Sequence, residues 1–228
     1  MHAVVDRWLH SYHPEDVINA LLPQLTEERR ARIEAVLAAR LSRLTVVIEN
    51  LHDPHNGAAA IRSVEAFGLT QLHVVEQAEP FRFSPRVTQG CEKWIELRRH
   101  QAFAACADEL HGRGFALLAA VPNCDQRVDE LDPLRPTALV FGNEHTGLSG
   151  EALARCDARF TIPMHGFTQS FNLSVSVALS VYEWAKRRRA NQPGDLQPDE
   201  LSRLKARYYA LSMDERAAEG LVARHAAR

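Results

Sequence analysis

Two short runs of apolar residues, 115–120 and 138–142, constrain the fold of this chain most strongly. Neither run contains a charged or hydrogen-bonding side chain, which is typical of strands covered on both faces. Segments with helical periodicity separate these runs from two further strand-like segments, 44–48 and 72–76. Strands that alternate with helices predict an α/β fold on a parallel sheet. Ligands should then bind in loops at the carboxyl ends of the strands.

The composition is that of a globular protein with little charge bias. The 228 residues are 46% hydrophobic and 25% charged, and the formal net charge is −2. These values predict one domain with its own core, and they argue against binding nucleic acid through bulk charge alone. The longest apolar run, 115–121, is too short to cross a bilayer, and the N-terminus lacks a signal-peptide layout. We therefore expect a cytoplasmic protein that makes no membrane contact.

Histidine and cysteine spacing predicts neither a metal site nor a disulfide framework. His52 and His55 form the one suggestive histidine pair, and Pro54 between them prevents a helical ligand face. The cysteines are widely spaced with no CxxC pair, so we expect reduced thiols. They are Cys91, Cys106, Cys124 and Cys156.

Periodicity and charge divide the chain into a central domain and two helical ends. Residues 1–43 include a clear helix that starts after Thr26, a good N-cap residue. Residues 44–190 hold all the strand-like segments. Residues 191–228 begin with a break that contains proline and glycine, at 191–194, and predict one more helix after it.

The first polar loop that follows a strand has the sequence ENLHDPHNGAAAIRS, residues 49–63. A helical pattern directly after Asn56 and Gly57 argues against a hairpin, because no partner strand follows. Asn56 is then placed as the cap of the next helix, and Arg62 lies almost two turns further along it. Spacing alone favours a cap and a solvated arginine over a catalytic pair.

The second loop is LVFGNEHTGLS, residues 139–149. Gly142 and Gly147 allow a backbone to approach a ligand closely. Glu144 lies between them at a strand end, where a charge does not serve a core. The spacing differs from the dinucleotide-binding fingerprint, and an ordinary tight turn explains the loop equally well.

The third loop, IPMHGFTQSFNLSVS, begins at residue 162 and leads into a long helix. Ser170 and Asn172 open this helix, where unpaired backbone N–H groups can bind a ligand. Ser176 and Ser180 are explained by close helix packing. The basic residues 186–189 end the helix. Two interpretations explain them equally well: favourable interaction with the negative end of the helix dipole, or contact with a phosphate group.

Together, the three loops resemble the SPOUT class of RNA methyltransferases, and within it the TrmH family of tRNA (guanosine-2′-O)-methyltransferases. The family's first motif is an asparagine followed six positions later by an arginine, which are Asn56 and Arg62 here. Its second motif, a glycine-x-glutamate loop, matches GNEHTGLS, and its third matches IPMHGFTQSFNLSVS. The motifs occur in the family's order and spacing. The resemblance covers residues 27–189.

This resemblance implies a fold that periodicity cannot indicate, with a deep trefoil knot in the C-terminal half of the sheet. It also implies a homodimer whose active site forms at the interface. The apolar side of the third-loop helix offers either a dimer surface or core, through Leu173, Val177, Val181 and Trp184.

The cofactor implied by the resemblance is S-adenosylmethionine, held by backbone groups of the loops. Position by position, the contacts fall at Ala120, Gly142, Ile162 and Phe171. Phe171 stands where the family usually has leucine, and Ala120 where relatives often have threonine.

The resemblance also assigns the catalytic residues. Arg62 is the family's catalytic residue, and because a guanidinium is effectively never deprotonated, we interpret it as a clamp that stabilises an alkoxide. Asn56 would orient Arg62 or the ribose, and Glu144, Ser170 and Asn172 would support the loops and the substrate. Such chemistry needs no metal.

Positive charge is concentrated in the helical ends. Residues 27–43 carry a net charge of +2 and residues 183–228 of +3, while the middle of the chain is acidic. This distribution suits contact with RNA phosphates, although solvated amphipathic helices have the same pattern. The candidate RNA-binding residues are Arg29, Arg32, Arg40, Lys186, Arg187 and Arg188.

The leading hypothesis is S-adenosylmethionine-dependent 2′-O-methylation of a tRNA ribose, at a guanosine of the D-loop. The alternatives are the same reaction on ribosomal RNA or at another tRNA position, and an RNA-binding module without catalysis. The motifs alone do not separate the two enzymatic alternatives.

Overall fold

The computed structural model describes residues 3–77, 81, 83 and 85–227, without the side chains of residues 3, 4 and 85. The chain forms two compact units. One is Leu41–Pro193, and the other combines the described parts of Met1–Arg40 and Gly194–Arg228. The two helical ends that the sequence suggested as separate pieces therefore fold together.

The larger unit is built on a parallel sheet, as the apolar runs predicted. The six strands found in the described residues have the order β3-β2-β1-β5-β4-β6, and every neighbouring pair is parallel. Their bounds are β1 Leu44–Glu49, β2 Gln71–Val75, β3 Glu96–His100, β4 Ala116–Ala120, β5 Thr137–Phe141 and β6 Ala158–Phe160. The edge strand β3 was missed because its sequence, ELRRH, is charged and only partly buried.

Helices cover both faces of this sheet. They are α4 Pro54–Ala66, α5 Pro85–Thr88, α6 Phe103–Gly112, α7 Gly150–Arg155 and α8 Leu173–Arg189. Val46 and Ile48 of β1 belong to a core with α4 and α8, whereas Val47 between them belongs to a core with α6 and α7. Burial on both faces explains why the central strands are continuously apolar.

The side of α8 that the sequence offered as either dimer surface or core is core. Leu173, Val177, Val181 and Trp184 are all buried in the cluster that α4 and β1 share. Burial of large apolar side chains against the sheet is the main stabilising contribution to such a layer. Any surface that α8 presents to a second molecule must therefore be a different face.

The smaller unit is helical, with α1 Ala3–Leu9, α2 Pro14–Leu21, α3 Glu27–Ala38, α9 Pro198–Ala210 and α10 Glu215–Ala226. Thr26 caps α3 as predicted, since its hydroxyl accepts a hydrogen bond from the Arg29 N–H. Arg207 of α9 forms an ion pair of 2.7 Å with Asp6 of α1. In the described part of the chain, none of the helices has the length and apolar character to cross a membrane.

The trefoil knot, which the resemblance implies for the C-terminal half of the sheet, stays a prediction.

Candidate active site

The carboxyl ends of β1 and β5 lie side by side, and their loops meet there. Asn56 Nδ2 donates a hydrogen bond of 2.8 Å to Glu144 Oε1. Asn172 Nδ2 donates one of 3.0 Å to Asn56 Oδ1. Three residues from three separate loops, all of them sequence candidates, thus form one hydrogen-bonded cluster.

Asn56 is not the helix cap that the sequence suggested. Helix α4 starts earlier, at Pro54, and Asp53 caps it by accepting a hydrogen bond of 2.8 Å from the His55 N–H. Proline is favoured at the first helical position because its missing N–H would be unsatisfied there anyway. The Asn56 side chain, in the first turn, is consequently available to Glu144.

Asn172 does cap its helix. Its Oδ1 accepts hydrogen bonds from the backbone N–H of Ser174, at 2.9 Å, and from the Ser174 hydroxyl, at 2.7 Å. Because Oδ1 is engaged at the start of α8, the amide nitrogen is directed outward to Asn56. The capping geometry therefore orients the catalytic candidate.

A cavity of about 500 Å³ opens beside this cluster. Four of the five predicted catalytic residues line it, and the fifth, Arg62, is not among its described lining residues. The lining residues are His52, Asp53, Pro54, Asn56, Glu144, His145, Ser170, Phe171, Asn172 and Leu173. Two imidazoles, those of His52 and His145, meet edge to face at its rim with centroids 5.2 Å apart.

A second cavity of about 450 Å³ lies next to the first, and Glu144, Ser170 and Phe171 line both. All four predicted cofactor residues line the second cavity: Ala120, Gly142, Ile162 and Phe171. Phe171 lines both cavities and is 38% exposed.

Gly142 is required by the close packing of its own loop. A Cβ at this position would collide with the backbone of Gly147 and Leu148. Residues Asn143 and Gly147 exchange two backbone hydrogen bonds, of 3.0 and 2.9 Å, which close the loop on itself. The backbone of Gly142 is thereby left without a covering side chain at the cavity wall.

Comparisons with known proteins identify the family. The sequence model that describes the SpoU rRNA methylase family matches residues 43–182 of this chain. The chain belongs to this family. The resemblance that the three loops indicated is confirmed.

The family members most similar in sequence include two tRNA (guanosine(18)-2′-O)-methyltransferases. The one from Borreliella burgdorferi is 37% identical over 194 residues, which cover 84% of this chain and 89% of the relative. The one from Thermus thermophilus is 41% identical over 165 residues, covering 72% and 84%.

Two solved SpoU-family structures share the fold. The TrmH/SpoU tRNA modifying enzyme of A. aeolicus matches with a TM-score of 0.73 and 28% identity, over 82% of this chain and 98% of that chain. The methyltransferase AviRb from Streptomyces viridochromogenes, in complex with its cofactor AdoMet, has a TM-score of 0.62 and 26% identity over 68% and 64%.

Arg62, to which the resemblance assigns the catalytic role, does not join the cluster within this chain. Six residues separate it from Asn56 on α4, which places the two about 120° apart around the helix. The Arg62 side chain is exposed and donates a hydrogen bond of 3.2 Å to the Val87 carbonyl oxygen. Sequence reasoning paired the two residues from the motif, but helical geometry separates them.

Two of the six predicted RNA contacts are wrong. Arg40 is 1% exposed and its guanidinium lies 5.5 Å from the centre of the Tyr208 ring, and Arg188 is 5% exposed. A buried guanidinium cannot reach a phosphate without unfolding its surroundings. Arg32 and Lys186 are exposed, while Arg29, which donates to the Ser212 hydroxyl, and Arg187 are half-buried.

The residues that support the cluster were not predicted from the sequence. Asn143 donates from its side chain to the Asn50 carbonyl oxygen at 2.6 Å, and Glu49 accepts hydrogen bonds from Ser149. The only local signal was a run of polar residues directly after a buried strand. Such a run marks a loop, but it does not tell which side chains bond to which.

A buried cluster lies away from this site, where His73, His100 and Cys106 bring three metal-ligand atoms within 4.8 Å of one another. His73 Nδ1 and His100 Nε2 are 3.0 Å apart, with ring planes at 9° and centroids 5.2 Å apart. The two imidazoles therefore meet nitrogen to nitrogen, at a distance that fits a hydrogen bond between them. Burial lowers the pKa of His73 to about 3 and raises the pKa of Cys106 to about 12.

Proposed function

We propose that this protein transfers the methyl group of S-adenosylmethionine to the ribose 2′-oxygen of guanosine 18 in tRNA. The similarity to named guanosine-18 methyltransferases over most of both chains supports this substrate. The structural observation that carries the proposal is the Asn56–Glu144–Asn172 cluster between two adjoining cavities.

The second cavity is the proposed cofactor site. Its volume of about 450 Å³ and its wall of backbone at Gly142 suit a bent nucleoside held by main-chain hydrogen bonds. When bound, S-adenosylmethionine supplies an electrophilic methyl group on a sulfonium, a good leaving group. The protein must then orient a hydroxyl group and accommodate one proton.

The first cavity is the proposed site of the target ribose. Phe171 and Ser170 form part of the wall between the two cavities, so a hydroxyl in the first cavity would face a methyl group in the second. We assign Glu144 and the amides of Asn56 and Asn172 to orient that hydroxyl. Arg62 would stabilise the developing negative charge on the oxygen, because its guanidinium stays protonated.

We further propose that the enzyme is a homodimer. An apolar stripe that starts just before the N-cap of α8 and continues along this helix faces solvent. Its residues are between 38% and 49% exposed: Phe171, Val175, Leu179 and Tyr182. These positions follow helical spacing, so they form one continuous face opposite the buried one. Since Arg62 does not line the cavities of its own chain, Arg62 of the partner subunit could complete the site across this face.

Exposed basic residues of both units are the proposed RNA contacts, chiefly Arg32 and Lys186. Phosphate binding by such residues depends on their position and not on the net charge of −2. Because the proposed substrate is tRNA, the proposal also places the enzyme in the cytoplasm.

Methyl transfer to defined RNAs tests the function. The wild-type protein should transfer a labelled methyl group from S-adenosylmethionine to a tRNA transcript, and mass mapping should place the label on guanosine 18. A matched tRNA with 2′-deoxyguanosine at position 18 should receive none. Because the matched family is described as rRNA methylases, ribosomal RNA is the second substrate to assay. Methylation of ribosomal RNA in place of tRNA would contradict the proposal.

A further inference from the structure

The loop that carries Glu144 is fastened to the end of β1 at two points. Near its start, Asn143 Nδ2 donates a hydrogen bond of 2.6 Å to the carbonyl oxygen of Asn50. At its end, the backbone N–H and hydroxyl of Ser149 donate to the buried carboxylate of Glu49, at 2.8 and 2.6 Å. Two consecutive residues of one strand end therefore hold both ends of the loop.

The Asn50 carbonyl is itself held in place. Asn50 has a left-handed backbone with φ of 51°, a conformation that asparagine tolerates better than most residues. Its N–H donates to the Val75 carbonyl at 2.9 Å, and its side chain exchanges two hydrogen bonds of 3.1 Å with Gln77. The acceptor that Asn143 uses is thus fixed by β2 and by the segment that follows it.

The other end of the Asn143 amide shapes the turn around Glu144. Asn143 Oδ1 accepts hydrogen bonds from the N–H groups of His145, at 2.8 Å, and Thr146, at 3.2 Å. Glu144 lies in the chain between Asn143, which binds the Asn50 carbonyl oxygen, and these two N–H donors. Its carboxylate accepts a hydrogen bond from the Asn56 amide. One side chain therefore connects the end of β1 to the turn that presents the carboxylate.

We propose that Asn143 is a positioning residue for methyl transfer, which holds Glu144 against Asn56 through its hydrogen bond to Asn50. The hydrogen bonds of its side chain go to Asn50, His145 and Thr146, so it acts on the reaction through Glu144, and calorimetry tests its place in the wall of the proposed cofactor cavity separately. This inference rests on the proposed function, since methyl transfer is the activity that it affects.

The variant Asn143→Asp tests the hydrogen bond that the Asn143 side chain donates, separately from the two that it accepts. Aspartate keeps the Oδ1 acceptor for His145 and Thr146, but it places an oxygen instead of an N–H donor against the Asn50 carbonyl. We expect about a tenfold lower kcat on tRNA, an unchanged KM for tRNA, and a melting temperature close to that of the wild type. Asn143→Ala, which also removes the turn contacts, should lower kcat at least as much.

Asn191→Asp is the matched control, because Asn191 also donates from its side chain to a backbone carbonyl, that of Arg187, at an exposed position outside the cluster. Its kcat should equal that of the wild type. A kcat of Asn143→Asp and Asn143→Ala equal to that of the wild type would overturn the inference. If the wild type itself transfers no methyl group to tRNA, the proposed function fails instead.

A double-mutant comparison separates positioning from general loop stability. In a Glu144→Ala background there is no carboxylate to position, so Asn143→Asp should cause no further loss in single-turnover methyl transfer. A merely structural role would lower the rate by the same factor in both backgrounds, and that result would contradict the inference. Calorimetry with S-adenosylmethionine confirms that each variant still folds and binds the cofactor.

Discussion

The Asn56 amide and the Glu144 carboxylate meet at 2.8 Å although 88 residues separate them in the chain. The carboxylate accepts a second hydrogen bond, of 3.2 Å, from the backbone N–H of His52. Glu144 is therefore held by the loop after β1, through His52, and by the first turn of α4, through Asn56. Its position is set before any substrate binds, which is the condition for electrostatic preorganisation.

We expect Glu144→Gln to lower kcat by about 100-fold, because glutamine preserves the size of the side chain and removes its charge. The hydrogen bond from Asn56 can persist, so folding and cofactor affinity should change little. Methyl transfer to tRNA at saturating cofactor measures the effect. Glu151→Gln, an exposed carboxylate on α7, is the control and should keep full activity. Retention of most activity by Glu144→Gln would remove Glu144 from the site.

Arg62→Ala should abolish turnover and leave the affinity for S-adenosylmethionine unchanged. Arg62 lines neither cavity of its own chain in the described residues, so its loss does not disturb the cofactor site. Calorimetry for the cofactor and a methyl-transfer assay separate the two effects. Arg113→Ala removes another exposed arginine, one that donates a hydrogen bond to the Gln71 side chain, and serves as the control. A variant Arg62→Ala that keeps most of its turnover would contradict the role of a charge clamp.

Val175→Glu should dissociate the proposed dimer. Val175 is 42% exposed in the middle of the apolar stripe of α8, and a carboxylate there would be desolvated in a symmetric interface. Light scattering should show the mass of one chain where the wild type shows two. Leu134→Glu is the control, since Leu134 is 55% exposed outside the stripe. A wild type that is already monomeric, or a Val175→Glu variant that stays dimeric, would exclude this face.

Gly142→Ala should weaken cofactor binding strongly and lower the melting temperature. The added methyl group would collide with the backbone of Gly147 and Leu148, and backbone cannot move aside as a flexible side chain can. Calorimetry and thermal unfolding measure the two effects. Gly150→Ala lies at the end of the same loop with open space around its added Cβ, so it should behave like the wild type.

Acidification should destabilise the fold through His73. Burial lowers the pKa of His73 to about 3 in the folded protein, against an ordinary value of 6.5. Below pH 6.5 the unfolded chain therefore binds a proton that the folded chain does not, and the free energy of unfolding falls as the pH falls towards 3. The expected loss is about 2 kcal/mol between pH 7.5 and pH 5.

Denaturant titrations at several pH values measure this loss. In His73→Gln, which has no titrating group at this position, stability should depend less on pH. His225→Gln, an exposed histidine in the other unit, should leave the dependence unchanged. Burial also lowers the pKa of His100, so part of the slope should persist. An identical slope for His73→Gln and the wild type would contradict the buried neutral imidazole.

The fold was predictable because its signals are local. Continuous apolar runs, caps such as Thr26 and glycines after strands depend on a few neighbouring residues, and they gave the parallel α/β sheet correctly. The edge strand 96–100 was missed because exposure on one side allows charged residues and removes the apolar pattern. Capping was misassigned at Asn56 because Asp53, three residues earlier, satisfies the same backbone groups.

The sequence alone determined the alternation of strands and helices, the three motif loops and, through their spacing, membership of an RNA methyltransferase family. Only the tertiary structure decided how those loops pair. It joined Asn56 to Glu144 and to Asn172, 116 residues away, and it left Arg62 outside the cluster. It also buried Arg40 and Arg188. The physical reason is that periodicity reports which face of an element is apolar, whereas the partner of a polar side chain depends on segments far away in the sequence.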